Sequence, residues 1–560
     1  MRRTSWLWLT LLLIAGCTKA SPTPDFTPGP ALDGPRTRGG HAIFVREEDP
    51  DFLDPALSYG TYTAPIIAAV FRTLLEYADE PGAAGTRLVP ELAENLPDVR
   101  EGGTLYCFKV RRDARFSAPL GRHVVAADFK YAMERLYRVG SPGCNFYRSI
   151  VGVPDVLAGR DSVIKGIIAR GDSLYFRLTQ PDPIFLSVLA MSFTAAVPRE
   201  IADRHPNDFS QHTVATGPYR VAEFVPRRRV LLVRNPDYSG TPAWLDTFEL
   251  KLGVSTVNAI AQIRRGQADG GFFEVPPGAF AQLRSDAYWS QQIMIADGIN
   301  TQFLFMNTQL KPFDDVRVRQ AVNWAIDRRA LMKVYSGKAL VATEFLPPSM
   351  PGYAPGARYR QPDRDRARAL LSEAGYPNGF DTRLYGWTTE PGPRLLTVVQ
   401  QQLAEVGIRA SLDLGEAAGY TTMAGNVDRK IPFGLYGWYA DYLDPSNFFD
   451  PLLNGTRIQP IHNNNLSVFD DAETNAMIAR AMSTTDDSAR FVMWRRIDER
   501  VMELAPVATM LHLQESRLYG ARLGGWYRHV TRLFKIESLY LKPAGTSGAR
   551  TDSTAAKRAA

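Results

Sequence analysis

Two aspartates in the last quarter of the chain, Asp441 and Asp444, are the side chains whose type and spacing most suggest chemistry. Asp441 ends the run 435–441, which reads Leu-Tyr-Gly-Trp-Tyr-Ala-Asp and is typical of an aromatic-rich strand end. Trp438 and Tyr439 could form pocket walls beside the Asp441 carboxylate; the alternative is an aspartate that caps a turn beside core aromatics. Two carboxylates could also form a glycosidase pair. Because Asp444 lies only three residues on and directly before a proline, we expect it to organise the turn instead.

Signatures of the common enzyme classes do not occur in the body of the chain. We find no Gly-x-Ser-x-Gly nucleophile elbow, no His-Glu-x-x-His zinc helix and no Gly-x-x-x-x-Gly-Lys-Ser/Thr phosphate loop. The nearest approach, Gly-Thr-Ser-Gly at 545–548, lacks the final spacing of an elbow. We therefore predict that the protein is not an enzyme and needs no cofactor.

Cysteine and histidine are too sparse to indicate a metal centre. The chain has three cysteines, no Cys-x-x-Cys, and seven scattered histidines, so no metal site is predicted. In an oxidising extracytoplasmic compartment Cys107 and Cys144 could form a disulfide; the alternative is two separate thiols.

The N-terminus has the features of a targeting segment. Arg2 and Arg3 precede the uncharged run 6–14, which is long enough for the core of a signal peptide and too short to cross a bilayer. The run leads into Ile-Ala-Gly-Cys, which resembles the lipobox of bacterial lipoproteins. This resemblance implies that residues 1–16 are a cleaved signal peptide and that Cys17 carries a lipid. The alternative is an ordinary signal peptide with an incidental cysteine.

Length and charge describe a large, nearly neutral body between two polar ends. A chain of 560 residues exceeds the size at which a single core stops growing, about 250–300 residues, so two or more lobes are expected. Residues 17–39 are rich in Pro, Thr and Ser, as in an extended tether, and residues 544–560 resemble a disordered tail. Of the net charge of +6, residues 1–38 carry an excess of three and residues 544–560 an excess of two. No nucleic-acid partner is therefore predicted.

Short strands mixed with helices from about residue 40 predict an α/β protein. The predicted strands include 41–46, 104–110 and 173–178. The predicted helices are 64–75, one capped by Asp128, 315–334, 364–374, 394–406 and 472–482.

Six blocks of sequence occur in a characteristic order. They are 91–97 with 104–111, 115–117 and 125–129; 216–220 with 234–238; 305–307; 312–321 with 325–328; 367–380; and 438–445. Together they resemble the dipeptide/oligopeptide-type extracytoplasmic solute-binding proteins of ABC importers, known as solute-binding protein family 5. The resemblance covers roughly residues 40–540.

This resemblance implies an α/β, two-lobed periplasmic-binding-protein fold of type II, in the large cluster that carries an extra subdomain, with a hinge between the lobes. Lobes of this kind close on a solute by hinge motion. The implied division is lobe 1 at 40–72, 196–300 and 510–543, the extra subdomain at 73–195, and lobe 2 at 301–509.

The resemblance also implies a set of ligand-binding residues. In family members that bind free α-amino groups, a carboxylate at the position of Asp441 holds the ammonium. In this chain Tyr436, Trp438 and Tyr439 would flank it. The opposite lobe would contribute the segment 58–62. The candidates there are Tyr59, Thr61 and Tyr62, with Tyr147 as a weaker one. Each of these tyrosines could instead serve packing.

One departure from the family pattern concerns the ligand carboxylate. Some oligopeptide binders carry an arginine two positions before the Gly-Trp pair, where this chain has Leu435. The sequence therefore leaves open how a ligand carboxylate is held and how long the ligand is. Relatives of this fold also bind metal chelates, haem or sugars.

The function predicted from these features is that of a monomeric receptor, lipid-anchored outside the cytoplasm. It would capture a peptide or related small solute and pass it to the permease and ATPase subunits of an ABC transporter. A receptor that uses the same cleft for sensing or cell-wall recycling, without import, is the alternative.

Overall fold

The computed structural model describes residues 36–529 and 531–543. The predicted signal peptide, the lipidation site Cys17, most of the tether at 17–39 and the tail at 544–560 lie outside the described residues.

The strands are given in chain order. They are β1 (His41–Val45), β2 (Leu75–Tyr77), β3 (Leu88–Pro90), β4 (Asp98–Arg100), β5 (Leu105–Lys109), β6 (Ile167–Arg170), β7 (Ser173–Arg177), β8 (Tyr219–Val225), β9 (Arg229–Arg234), β10 (Thr247–Lys251), β11 (Gly270–Gly271), β12 (Ile293–Asp297), β13 (Asn300–Met306), β14 (Ala339–Val341), β15 (Phe380–Trp387), β16 (Ile408–Gly415), β17 (Phe433–Tyr439), β18 (Val507–Leu518), β19 (Leu523–Gly524) and β20 (Tyr540–Leu541).

The α-helices follow in the same order. They are α1 (Ala64–Val70), α2 (Ala126–Arg138), α3 (Val153–Leu157), α4 (Phe185–Leu189), α5 (Arg199–Ala202), α6 (Thr256–Arg264), α7 (Pro277–Ser285), α8 (Val316–Ala325), α9 (Arg328–Val334), α10 (Arg364–Glu373), α11 (Gly392–Ala404), α12 (Ala417–Ala424), α13 (Ser446–Leu453), α14 (Ala472–Ser483) and α15 (Asp487–Leu504).

Two large sheets define two lobes. Lobe 1 contains a mixed sheet with the strand order β11-β1-β10-β9-β8, and a smaller antiparallel sheet, β4-β5-β7-β6, packs onto the same hydrophobic core. Lobe 2 is built on the order β12-β18-β13-β17-β15-β16, with β14 beside β18. Apolar clusters cover both faces of the lobe 2 sheet, with helices such as α8 and α11 on one face and α13 and α15 on the other. The predicted two-lobed α/β class is confirmed.

Strand β18 and the consecutive strands β12 and β13, which both pair with it, connect the lobes. The long strand β18 pairs with β13 over residues 507–511 and with β12 over residues 514–518. At one end Leu518 and Ile293 pack against Val45 of lobe 1. At the other end Ala508 and Leu511 belong to the lobe 2 core. Strands that join two separate cores in this way suit a hinge.

The predicted helix at 64–75 is too long. It ends at Val70, whose carbonyl oxygen accepts the N–H groups of Thr216 at 3.0 Å and Gly217 at 2.9 Å, and β2 begins at Leu75. Gly217 is required by this contact and not by a positive φ, because a Cβ there would lie 2.5 Å from the carbonyl oxygen of Ala69.

The predicted helix at 315–334 is two helices. The carboxylate of Asp327 accepts the N–H groups of Arg329 and Ala330, at 3.0 and 3.3 Å, and so starts α9 as a new helix after α8. The predicted cap Asp128 lies inside the first turn of α2, where its carboxylate accepts the N–H of Val125 at 2.9 Å.

Of the two alternatives for Cys107 and Cys144, the structure has two separate thiols and no disulfide between them. Cys107 lies on the face of β5 opposite to Tyr106 and Phe108, which enter the core. Cys144 packs against that core, and its Sγ donates to the carbonyl oxygen of Leu136 at 3.4 Å. The two side chains therefore lie on different sides of the sheet that carries Cys107.

Both ends of the described chain lie on lobe 1. Thr37 forms an antiparallel bridge with Leu541, next to the pairing of β19 with β20. The guanidinium of Arg38 stacks over the ring of Trp244 at 4.6 Å from its centre. Among the described helices, none has the length and apolar composition that crossing a membrane requires.

Two acidic side chains are buried together in lobe 2. Asp498 of α15 accepts the N–H groups of Phe345 and Leu346 at 2.9 and 3.1 Å, and burial raises the pKa of this aspartate to about 7. Burial and the charge of Asp498 raise the pKa of Glu344 to about 9. Both groups therefore hold protons in the fold that an unfolded chain releases near pH 4.

We expect the change Glu344→Gln to stabilise the protein at alkaline pH. Because the folded pKa of this glutamate lies above its unfolded value, stability falls as the pH rises from about 4.5 to about 9. The variant should gain about 1–3 kcal/mol in free energy of unfolding at pH 9 and nothing at pH 4, measured by urea denaturation. The exposed Glu373→Gln is the matched control, and an equal gain at both pH values would contradict the assignment.

Candidate ligand-binding cleft

A cavity of about 410 Å³ lies between the two lobes. Its walls come from the loop 58–61 of lobe 1, from 190–193, from 436–441 of lobe 2 and from 531–533 near the C-terminus. Its volume falls at the small end of the range for small-molecule sites, about 300–1,000 Å³. The two segments singled out in the sequence, around Tyr59 and around Asp441, thus meet across one cavity.

Asp441 is held in place by a buried asparagine of the following helix. The N–H of Asp441 donates to Oδ1 of Asn447 at 3.1 Å, and Nδ2 of Asn447 donates to Oδ2 of Asp441 at 3.2 Å. The same Oδ1 accepts the indole N–H of Trp438 at 2.9 Å. Asn447, which lies in the first turn of α13, therefore fixes both the carboxylate and the adjacent aromatic wall.

Tyr59 of lobe 1 makes a direct contact with Asp441 of lobe 2, since its hydroxyl donates to Oδ1 of the aspartate. Burial raises the pKa of Asp441, although hydrogen bonds from Tyr59 and Asn447 oppose this shift. Burial and the charge of Asp441 also raise the pKa of Tyr59, so the phenol stays a neutral donor. A partly desolvated carboxylate of this kind favours a cationic partner.

The loop that carries Tyr59 is shaped by Asp51. Its carboxylate accepts the N–H groups of Tyr59 and Gly60, each at 2.7 Å, and the hydroxyl of Ser58 at 3.1 Å. A Cβ at Gly60 would lie 3.1 Å from the Asp51 carboxyl carbon. The close approach of the Asp51 carboxylate thus explains the glycine.

The predicted aromatic and hydroxyl residues divide into two groups. Tyr436, Trp438, Tyr439 and Thr61 line the cavity together with Tyr59 and Asp441. Phe193, which the sequence did not single out, also lines it, with its ring 5.9 Å from that of Tyr59.

Tyr62 and Tyr147 do not line the cavity. The ring of Tyr62 lies between the guanidinium groups of Arg46 and Arg517, at 4.6 and 5.4 Å, and burial raises its pKa to about 12. Tyr147 is fully buried in the lobe 1 core, where its hydroxyl donates to the carbonyl oxygen of Val188 at 3.2 Å. The expectation that Tyr147 faces the ligand is therefore wrong, because the side chain serves packing.

Asp444 has a separate, structural environment. Its side chain is buried and forms an ion pair with Arg490 of α15, and its Oδ1 accepts the N–H of Ser446 at 2.9 Å. Because both carboxylate oxygens are engaged in this way, Asp444 organises the turn into α13. It does not line the cavity and does not pair with Asp441.

A group of buried, ion-paired side chains lies on the lobe 1 side of the cavity. Arg72 lies 3.0 Å from Glu76, 2.7 Å from Glu537 and 3.4 Å from Glu91, and Lys535 lies 3.3 Å from Glu76. Burial disfavours the charged form of Glu537, but the cations Arg72, Lys535 and Arg532 outweigh it and lower the pKa of Glu537 to about 2. We call these five residues, Arg72, Glu76, Glu91, Lys535 and Glu537, the charge cluster.

Within the described residues, one group could offer three ligand atoms to a metal ion: His205, Asp208 and His212. The Asp208 carboxylate lies 3.4 Å from Nδ1 of His205 and 3.0 Å from Nε2 of His212. The group lies at the surface and none of its members lines the cavity. The shared carboxylate alone accounts for its arrangement.

Comparison with known proteins matches this chain to solute-binding proteins. The family model described as bacterial extracellular solute-binding proteins, family 5 Middle, matches residues 87–460. The chain is 25% identical over 535 residues to the heme-binding protein A of Haemophilus influenzae, covering 91% of this chain and 94% of that protein. It is 26% identical over 494 residues to the dipeptide-binding protein of Escherichia coli, covering 84% and 89%.

A solved structure gives the same result for the fold. The clavulanic acid biosynthesis oligopeptide binding protein 2 superposes with a TM-score of 0.86 at 26% identity, covering 94% of this chain and 100% of that one.

Proposed function

The chain belongs to family 5 of the bacterial extracellular solute-binding proteins, and we propose that it is the receptor that captures a short peptide between its lobes and delivers it to an ABC transporter. The observation that carries this proposal is the position of Asp441. A half-buried carboxylate with a raised pKa faces a cavity between two hinged lobes, among aromatic walls. Pairing with a peptide ammonium would satisfy that carboxylate and favour closure of the lobes.

The cavity also suits a ligand recognised without regard to its side chains. Tyr436, Trp438 and Phe193 offer apolar surface that would accept varied side chains. The loop 58–61 brings backbone groups to the cavity wall, where hydrogen bonds to a peptide main chain would serve every sequence alike. We propose Asp441, Tyr59, Thr61, Tyr436, Trp438 and Tyr439 as ligand contacts.

We further propose that residues 1–16 are removed as a signal peptide and that a lipid on Cys17, followed by the tether 17–39, holds the receptor at a membrane outside the cytoplasm. The receptor would act as a monomer, and its partners would be permease and ATPase subunits. We propose no catalytic step. We propose the lobe division that the sequence predicts, with the hinge where β12, β13 and β18 cross. This hinge would let lobe 2 move against the body formed by lobe 1 and the subdomain 73–195.

The proposal is tested by the ligand itself. We expect mass spectrometry of material released on denaturing the purified full-length protein to detect short peptides. Isothermal titration of the stripped protein with trialanine should give micromolar or tighter binding, and N-acetylated trialanine should bind at least about 30-fold more weakly because it lacks the ammonium. Release of a metal chelate, haem or sugar, or equal binding of both peptides, would overturn the peptide assignment.

A further inference from the structure

A peptide with two free ends needs a partner for its carboxylate as well as for its ammonium. The position where some family members have an arginine for this purpose, Leu435, is fully buried in the lobe 2 core. Its neighbours 436–439 line the cavity, but Leu435 itself does not. The cation for the carboxylate must therefore come from another part of the cavity wall.

Three arginines line the cavity, and two of them are already paired. Arg72 is surrounded by the three carboxylates of the charge cluster. Arg528 lies 2.9 Å from a carboxylate oxygen of Glu515, and its Nη1 donates to the carbonyl oxygen of Arg532 at 2.6 Å. The charge of each of these two guanidinium groups is therefore already balanced by a carboxylate within 3.0 Å.

Arg532 is the third, and no carboxylate of the described residues lies within hydrogen-bonding distance of its Nη1. Its Nη1 is buried and has no hydrogen-bond partner among the described residues. Glu76 approaches it only to 3.8 Å, and Glu76 is more closely paired with Arg72 at 3.0 Å and Lys535 at 3.3 Å. A buried guanidinium nitrogen without an acceptor is costly to maintain unless a partner is supplied.

We propose that Arg532 of lobe 1 receives the C-terminal carboxylate of the bound peptide, opposite Asp441 of lobe 2. The substrate class is then short peptides with both ends free. The bond from Arg528 to the carbonyl oxygen of Arg532 makes Arg528 a positioning residue for this contact. This assignment rests on the proposed peptide-binding function and extends it.

The test compares trialanine with its C-terminal amide, by isothermal titration of the full-length protein. Wild type should bind the free acid about 10- to 100-fold more tightly than the amide, because a charge-assisted pair is lost with the amide. The variant Arg532→Gln should bind the two peptides equally, at the affinity of wild type for the amide. Arg532→Lys should restore part of the preference, and the exposed Arg265→Gln should retain all of it.

The outcomes separate this assignment from the function on which it rests. Trialanine binding with an undiminished preference for the free acid in Arg532→Gln would overturn the assignment and leave the peptide function intact. Failure of wild type to bind either peptide would overturn both. An equal loss of affinity for both peptides in Arg532→Gln, with the preference retained, would mean that the arginine only supports the loop, and would also overturn the assignment.

Discussion

Replacing Asp441 by alanine is expected to weaken trialanine binding by at least about 100-fold, which corresponds to about 2.7 kcal/mol. The variant removes the only carboxylate that the 436–441 segment turns toward the cavity, and it leaves the ligand ammonium to be buried without a partner. Isothermal titration measures the effect directly. The exposed Asp428→Ala, on the same lobe and outside the cavity wall, is the matched control and should bind as wild type does.

The pH dependence of binding gives a second readout of the same group. Because burial raises the pKa of Asp441 above its usual value near 3.8, the carboxylate loses its charge at a higher pH than an exposed aspartate does. Affinity for trialanine should therefore be full at neutral pH and fall as the pH is lowered through that raised pKa. Asp441→Asn should remove this dependence. Undiminished binding by either variant would show that the ammonium is held elsewhere.

Breaking the ion pair between Asp444 and Arg490 is expected to have the largest effect on stability. Both side chains are buried, so Asp444→Ala would leave the Arg490 guanidinium with only the more exposed Asp487, 2.6 Å away, as an ionic partner, at a cost of about 3 kcal/mol in free energy of unfolding. The same change should also weaken peptide binding, because Asp444 forms the turn that leads from Asp441 to Asn447.

Urea denaturation and titration of the same samples separate these two effects. The double variant Asp444→Leu with Arg490→Met should recover most of the stability, since it leaves no buried charge without a partner. The exposed pair of Glu390 and Arg394 is the control, and Glu390→Ala should change the free energy of unfolding by less than about 1 kcal/mol. If Asp444→Ala also lowered the free energy of unfolding by less than about 1 kcal/mol, the structural role of Asp444 would be contradicted.

The sequence predicted those parts of the cleft that lie in a short, recognisable motif. The run of aromatics ending in Asp441 and the segment around Tyr59 could be named because each is recognisable alone, although they lie 382 residues apart. The two-lobed α/β fold followed from the order of the motifs. Asp444 was expected to organise a turn because an aspartate directly before a proline has that tendency.

The remainder depended on packing that no local pattern encodes. Tyr147 was a reasonable candidate by type, but a tyrosine in a wall and a tyrosine in a core look alike in sequence, and only the fold buries this one. Asn447 was missed because it looks like any residue of a helix start. Arg532 was missed because its significance lies in a buried Nη1 without a hydrogen-bond acceptor, which depends on the surrounding side chains.

The bridge between Thr37 and Leu541 has a mechanical consequence. Both ends of the folded chain leave from lobe 1, so any attachment at either terminus pulls on that lobe alone. Within the described residues, the crossing strands β12, β13 and β18 carry the chain between the lobes, whereas the contact of Tyr59 with Asp441 joins them across the cavity. In an anchored receptor, lobe 1 would therefore stay fixed relative to the membrane, and closure would move lobe 2. A surface-immobilised or reporter-fused form, linked through either terminus, should retain the full amplitude of closure.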